Sequence, residues 1–136
     1  MFSKSLEAAL GAMACLAEIY DGGTTTLTAE QIATDRDLLR PFLAKLLTSL
    51  SQAGLVTSKP GRNGGFTLAC SPADISLERI ADAIGYRTRI QCCPFGPEYN
   101  GEEGKPCAMH DEVIKIKDQV EAFLASSTLE GFARNQ

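Results

Sequence analysis

A chain of 136 residues, 44% hydrophobic and 22% charged, has the size and composition of one globular domain with a real core. It lacks any apolar run near the roughly 20 residues of a membrane helix, and this excludes a membrane-spanning reading. A net charge of −4 excludes a nonspecific nucleic-acid coat, yet residues 36–66 hold five basic side chains (Arg36, Arg40, Lys45, Lys59, Arg62) against one acid, Asp37. A local basic face on an acidic protein fits a docking site for a polyanion.

The chain opens with "MFSKSLEAALGAMACLAEIY". Glu7 interrupts the apolar run, Lys4 is its only basic residue, and the helical pattern continues past Cys15. The segment is therefore predicted to be an amphipathic helix and not a secretory leader. The expected location is the cytoplasm, where thiols stay reduced and clustered cysteines lean toward metal binding or redox sensing. Leu6, Leu10, Met13, Leu16, Ala17 and Tyr20 make the apolar stripe, and Asp21-Gly22-Gly23 stops the helix. A short helix follows in "LTAEQIATD", ending near Thr34. Thr28 and Gln31 stand at the spacing of a capping box.

The next helix starts between Leu38 and Pro41, because Pro41 fits only a first turn, and Asp37 can cap it. Leu43, Leu46, Leu47 and Leu50 share its apolar face. Arg40, Ala44, Lys45, Thr48 and Gln52 lie elsewhere on its surface, and Gly54 ends it. "LVTSKPGRNGGFTLA" predicts two short strands, Leu55–Ser58 and Phe66–Ala69, around a Pro-Gly and Gly-Gly loop. "SPADISLERIADAIG" predicts a helix capped by Ser76, with Ile80, Ala83 and Ile84 as core candidates. "CCPFGPEYNGEEGKPC" is a Gly- and Pro-rich loop. From Ala108 to Ser126 a long helix carries Val113, Ile116, Val120 and Phe123 in a narrow stripe that fits either core packing or a coiled-coil dimer seam.

Short helix, turn, second helix and basic-tipped hairpin make a winged helix-turn-helix. The fold class is mainly α with a small β-hairpin wing and a long C-terminal dimerisation helix. We divide the chain into a DNA-binding unit (1–85), a cysteine-bearing loop (86–107) and a dimerisation helix with its tail (108–136). The second helix, with Arg40, Lys45 and Thr48 exposed, suits a DNA major groove, which admits one α-helix. At the wing tip, Lys59 and Arg62 stand beside glycines that let the backbone approach phosphate closely.

Three of the five cysteines and the only histidine fall within 92–110. The available ligands are Cys92, Cys93, Cys107 and His110. Cys107 and His110 lie about one helical turn apart and can face one ion. Adjacent Cys92 and Cys93 point apart in an extended chain, so joint ligation of one ion is awkward. An iron–sulfur cluster, a tetrahedral zinc site, a thiol–disulfide switch and inert thiols all stand open. Cys15 and Cys70 sit in apolar patterns and read as structural. An enzyme is not expected: the Cys107–His110 pair has no orienting third group.

"LTAEQIA", "AGLVTSKPGRNGGFTLA", "ISLERIADAI", "CPFG" and "PCAMHDE" together resemble the Rrf2 family of winged-helix regulators, which includes IscR-, NsrR- and CymR-like proteins. The resemblance runs from about Lys4 to Phe123. It implies a homodimeric regulator of double-stranded DNA, usually a repressor, whose second helix enters the major groove and whose wing reaches the minor groove. Carried onto this chain, the DNA-contact candidates are Lys4, Thr28, Gln31, Arg40, Lys45, Arg62 and Asn63. The resemblance further implies a two-iron two-sulfur cluster held by three cysteines and a fourth group, although some members lack one. Cys93, Cys107 and His110 match ligand positions, and the fourth group is either Cys92 or an acid, Glu7 matching an acidic ligand given by the second subunit. CymR-like members imply instead a regulatory protein partner. The chain departs from the pattern twice. Leu39 replaces the usual serine at the start of the recognition helix, and "PEYNGEEGK" lacks the middle cysteine.

Overall fold

The structure, a computed structural model, describes residues 2–86 and 108–133. Its central element is α1 (Lys4–Glu18). The Ser3 hydroxyl starts the helix by accepting from the Leu6 amide at 3.1 Å. Leu6, Ala9, Ala12, Met13, Leu16 and Ala17 are all buried. The alanines let neighbours approach on several sides, which explains why α1 is a hub and not a one-faced surface helix.

The helix-turn-helix follows as α2 (Ala29–Arg36) and α3 (Arg40–Gln52). The capping box forms as predicted: Thr28 Oγ1 accepts from the Gln31 amide at 3.1 Å, and Gln31 Oε1 accepts from the Thr28 amide at 2.8 Å. Asp37 behaves differently from expectation. It ends α2 in the left-handed region, at φ 52°, and does not cap α3. Leu39 is the residue before α3, and it makes no side-chain cap. Leu43, Leu46, Leu47 and Leu50 point into the core, as their spacing required.

The wing pairs β1 (Val56–Lys59) with β2 (Gly65–Leu68), antiparallel, with Val56 opposite Leu68 and Lys59 opposite Gly65. Both strands differ by one residue from expectation. A third segment joins them, since Leu27 and Phe66 exchange backbone hydrogen bonds of 3.0 and 2.7 Å. This pairing requires glycine at two positions of the wing. A Cβ on Gly65 would lie 2.5 Å from the Leu27 carbonyl oxygen, and one on Gly64 would collide with the Lys59 carbonyl. Gly65→Ala is expected to cost about 1–3 kcal/mol as an overpacking change. A urea unfolding midpoint identical to that of the parent would contradict it.

Ser76 starts α4 (Leu77–Ala83), its hydroxyl accepting from the Arg79 amide at 3.1 Å. Ile80 is buried as expected, with Leu77 and Ala81, whereas Ala83 and Ile84 are only half-buried. The last helix, α5 (His110–Ser126), ends where the pattern predicted. Its stripe is split. Val120 is 7% exposed and joins Leu124 in the chain's own core, so for this residue the core-packing alternative holds in place of the dimer seam. Ile116 and Phe123 remain 44% and 47% exposed. After α5 the chain returns to the body: the Leu77 amide bonds Ser127, the Leu129 amide bonds Ile75, and Leu129 is buried.

Candidate nucleic-acid interface

The exposed face of α3 carries Arg40, Pro41, Ala44, Lys45, Thr48 and Gln52. This arc follows from the four leucines opposite, which fix the rotation of the helix. Arg40 lies 3.9 Å from Glu30 on α2, and both side chains are more than half exposed. Such a pair contributes little to stability, but it holds the guanidinium next to the α2–α3 corner. Thr48 Oγ1 donates to the Ala44 carbonyl at 2.9 Å, so its lone pairs remain available.

Thr28 and Gln31 use acceptor oxygens in the capping box. The Thr28 hydroxyl proton and the Gln31 amide protons are still free to donate, and donors are what a phosphate requires. Lys4 is exposed in the first turn of α1. At the wing, Lys59 Nζ donates to the Gly23 carbonyl. Thr26 Oγ1 donates to the Asn63 carbonyl at 3.1 Å. These two bonds tie the wing to the loop before α2, which places wing and α3 in a fixed relation. Arg62 is exposed at the tip.

Arg36 does not belong to this face. Its Nε donates to Cys15 Sγ at 2.9 Å, and its guanidinium lies 3.8 Å from Glu18 and 3.7 Å from Asp35. The Cys15 thiol in turn donates to Asp35 Oδ2 at 3.1 Å. Gly11 lies against this side chain, where a Cβ would make only ordinary contact with Arg36 Cδ, at 3.5 Å. Burial pushes the Cys15 thiol up from its ordinary value, and the Arg36 hydrogen bond pulls it partly back. Cys15 is thus buried as expected, but its polar partners were invisible in the sequence. Cys70 is half-buried beside the core.

Of the candidate ligands, Cys92, Cys93 and Cys107 lie outside the described residues. His110 is the first residue of α5 and is half-buried, while Glu7 is exposed on α1. Among the described residues, no three His, Cys, Asp or Glu side chains group to hold an ion. Between α4 and α5 lies an open cavity of about 720 Å³ lined by Glu78, Asp82, Asp118 and Glu121, with Lys117. Its acidic walls would repel DNA, which leaves the α3 and wing face as the basic surface. No helix of the described residues is long and apolar enough to cross a membrane.

Residues 2–135 match the family model described as Rrf2, iron-dependent transcriptional regulator. A protein of Aquifex aeolicus (strain VF5), named as an HTH-type transcriptional regulator, is 33% identical over 130 residues, 95% of this chain and 88% of that one. The HTH-type transcriptional regulator CymR of Bacillus subtilis (strain 168) is 33% identical over 118 residues, 87% of this chain and 78% of that one. Among solved structures, the B. subtilis CymR structure, described as that of the global cysteine regulator, superposes with a TM-score of 0.76 at 26% identity. It covers 100% of this chain and 98% of that one. IscR of T. potens superposes with a TM-score of 0.72 at 25% identity, covering 100% of this chain and 88% of that one.

Proposed function

The chain belongs to the Rrf2 family of DNA-binding transcriptional regulators, and from that premise we propose a cytoplasmic, homodimeric repressor that senses through its Cys92–His110 segment. The family is one of regulators and not of enzymes. The single observation that carries the DNA-binding assignment within this chain is the α3 face. Arg40, Lys45 and Thr48 project from it on one side, and the wing adds Lys59, tied to the Gly23 carbonyl, and the exposed Arg62. Lys4, Thr28, Gln31 and Asn63 complete the set as donors to the sugar–phosphate backbone.

The dimer reading rests on Ile116 and Phe123, large apolar side chains left exposed along α5 with half-buried Val113 between them and Met109. A second copy covering this stripe would match two recognition helices to two half-sites. The sensing reading rests on placement. His110 begins α5, so an event at 92–110 acts directly on the helix whose far end is anchored in the core by Val120 and Leu124.

Thiolates, an imidazole and a carboxylate are the right donor types for iron. Cys93, Cys107 and His110 would hold a two-iron two-sulfur cluster, with Cys92 or the Glu7 of a second copy completing the set. When bound, such a group supplies reversible one-electron redox chemistry. A second reading has a specific observation behind it. The middle cysteine is missing, and the chain superposes as well on CymR as on IscR. In that reading the thiols are oxidised to a disulfide, hold zinc, or yield control to a protein partner.

Iron and acid-labile sulfide are to be measured on protein purified without oxygen. The cluster reading expects about two of each per chain and visible charge-transfer bands. Colourless, iron-free protein would replace it with the thiol reading. Cys107→Ala is expected to change DNA affinity without unfolding the chain.

A further inference from the structure

Leu39 is 77% exposed, the highest value among the large apolar side chains that remain exposed in the described residues. It stands immediately before α3 in an extended conformation and offers no side-chain cap. The position is one where Ser, Thr, Asp or Asn would stabilise the helix and leucine does not. Pro41, two residues on, has no amide proton, so a capping side chain here would serve the Phe42 amide at the third helical position. The chain therefore forgoes both a cap and the burial of a leucine at one point of its surface. Pro41 and Ala44, both exposed, continue this apolar strip along the helix between the cations Arg40 and Lys45.

In helix-turn-helix proteins the N-terminal residues of the recognition helix meet the base edges. The major groove presents one apolar group there, the 5-methyl of thymine, and apolar side chains contact it. We propose that Leu39 is a specificity-determining residue that packs on a thymine methyl in each half-site. Arg40 and Lys45 supply the charge that holds the helix in the groove. The inference rests on the DNA-binding reading above.

The full-length protein is first used to select its preferred duplex from a randomised DNA pool. Each thymine of the selected half-site is then replaced by uracil, which removes the methyl group and keeps the base pairing. One such replacement is expected to weaken binding by the parent about fourfold, the size of one buried methyl-sized group. Leu39→Ser is expected to bind thymine and uracil duplexes equally. Because serine supplies the missing cap, the variant should melt at or above the parent's temperature, so lost discrimination cannot be ascribed to unfolding.

Parent binding unaffected by uracil at every position would overturn the proposal. So would a Leu39→Ser variant that keeps the full uracil penalty. Failure to enrich any sequence, with affinity insensitive to salt, would instead overturn the DNA-binding reading on which it stands.

Discussion

Replacing Arg40 and Lys45 together with alanine is expected to lower affinity for the selected DNA at least about 10,000-fold. Hydrogen bonds to charged groups contribute about 1.5–3 kcal/mol each, and a dimer loses two from each copy. Both side chains are exposed, so the circular dichroism spectrum and melting temperature should not move. The Glu30 carboxylate beside Arg40 gives the opposite control. Glu30→Gln frees the guanidinium and removes a charge that repels phosphate, so affinity should rise about two- to fivefold, the size of a surface ion pair. Unchanged footprints in the double variant would place recognition on another element.

Placing aspartate at Ile116 and Phe123 is expected to convert the proposed dimer into a folded monomer. Two charges per copy would then face each other in an apolar seam and lose their hydration. Sedimentation velocity reads the change directly. DNA affinity should fall by about 100-fold or more, because the second half-site is no longer tethered to the first. The Phe123 ring also lies 6.4 Å from that of Phe2, so this substitution carries an intramolecular cost of about 1 kcal/mol. Ile116→Asp alone avoids that cost and should still shift the mass. A double variant that remains dimeric would move the interface away from α5.

The elements read correctly from the sequence are those specified by neighbours in the chain. Thr28 with Gln31, and Ser76 with Arg79, cap across three residues, and the end of α5 at Ser126 follows from an uninterrupted periodic pattern. Asp37 was misplaced because the residue type suits two ends of a helix. It can cap the next helix by its side chain or close the last one in the left-handed region. The 2.8 Å bond from the Leu38 amide to the Ala33 carbonyl accompanies the second outcome.

Features joining distant residues left no local trace. Leu27 completes the wing across to Phe66, Arg36 turns to Cys15, and Lys59 reaches Gly23. Arg36 shows the limit of counting charge along a chain. Five basic residues in 36–66 read as one face, yet one of them serves the packing of α1 on α2. Val120 shows the limit of periodicity. A stripe with a repeat of three and four states that a face is apolar, not which body covers it, and here the chain's own core covers part of it.

The salt dependence of DNA affinity tests the central claim most directly. Five exposed cations, Lys4, Arg40, Lys45, Lys59 and Arg62, are the proposed phosphate partners on each copy. With about 0.9 counterions released per phosphate neutralised, a dimer on its selected duplex should give a log–log slope near −9, and a single copy near −4.5. The Arg40 and Lys45 double variant should lose about two fifths of it. A slope near zero across 50–300 mM salt (a range chosen to span roughly physiological ionic strength) would mean that the α3 and wing face does not bind DNA.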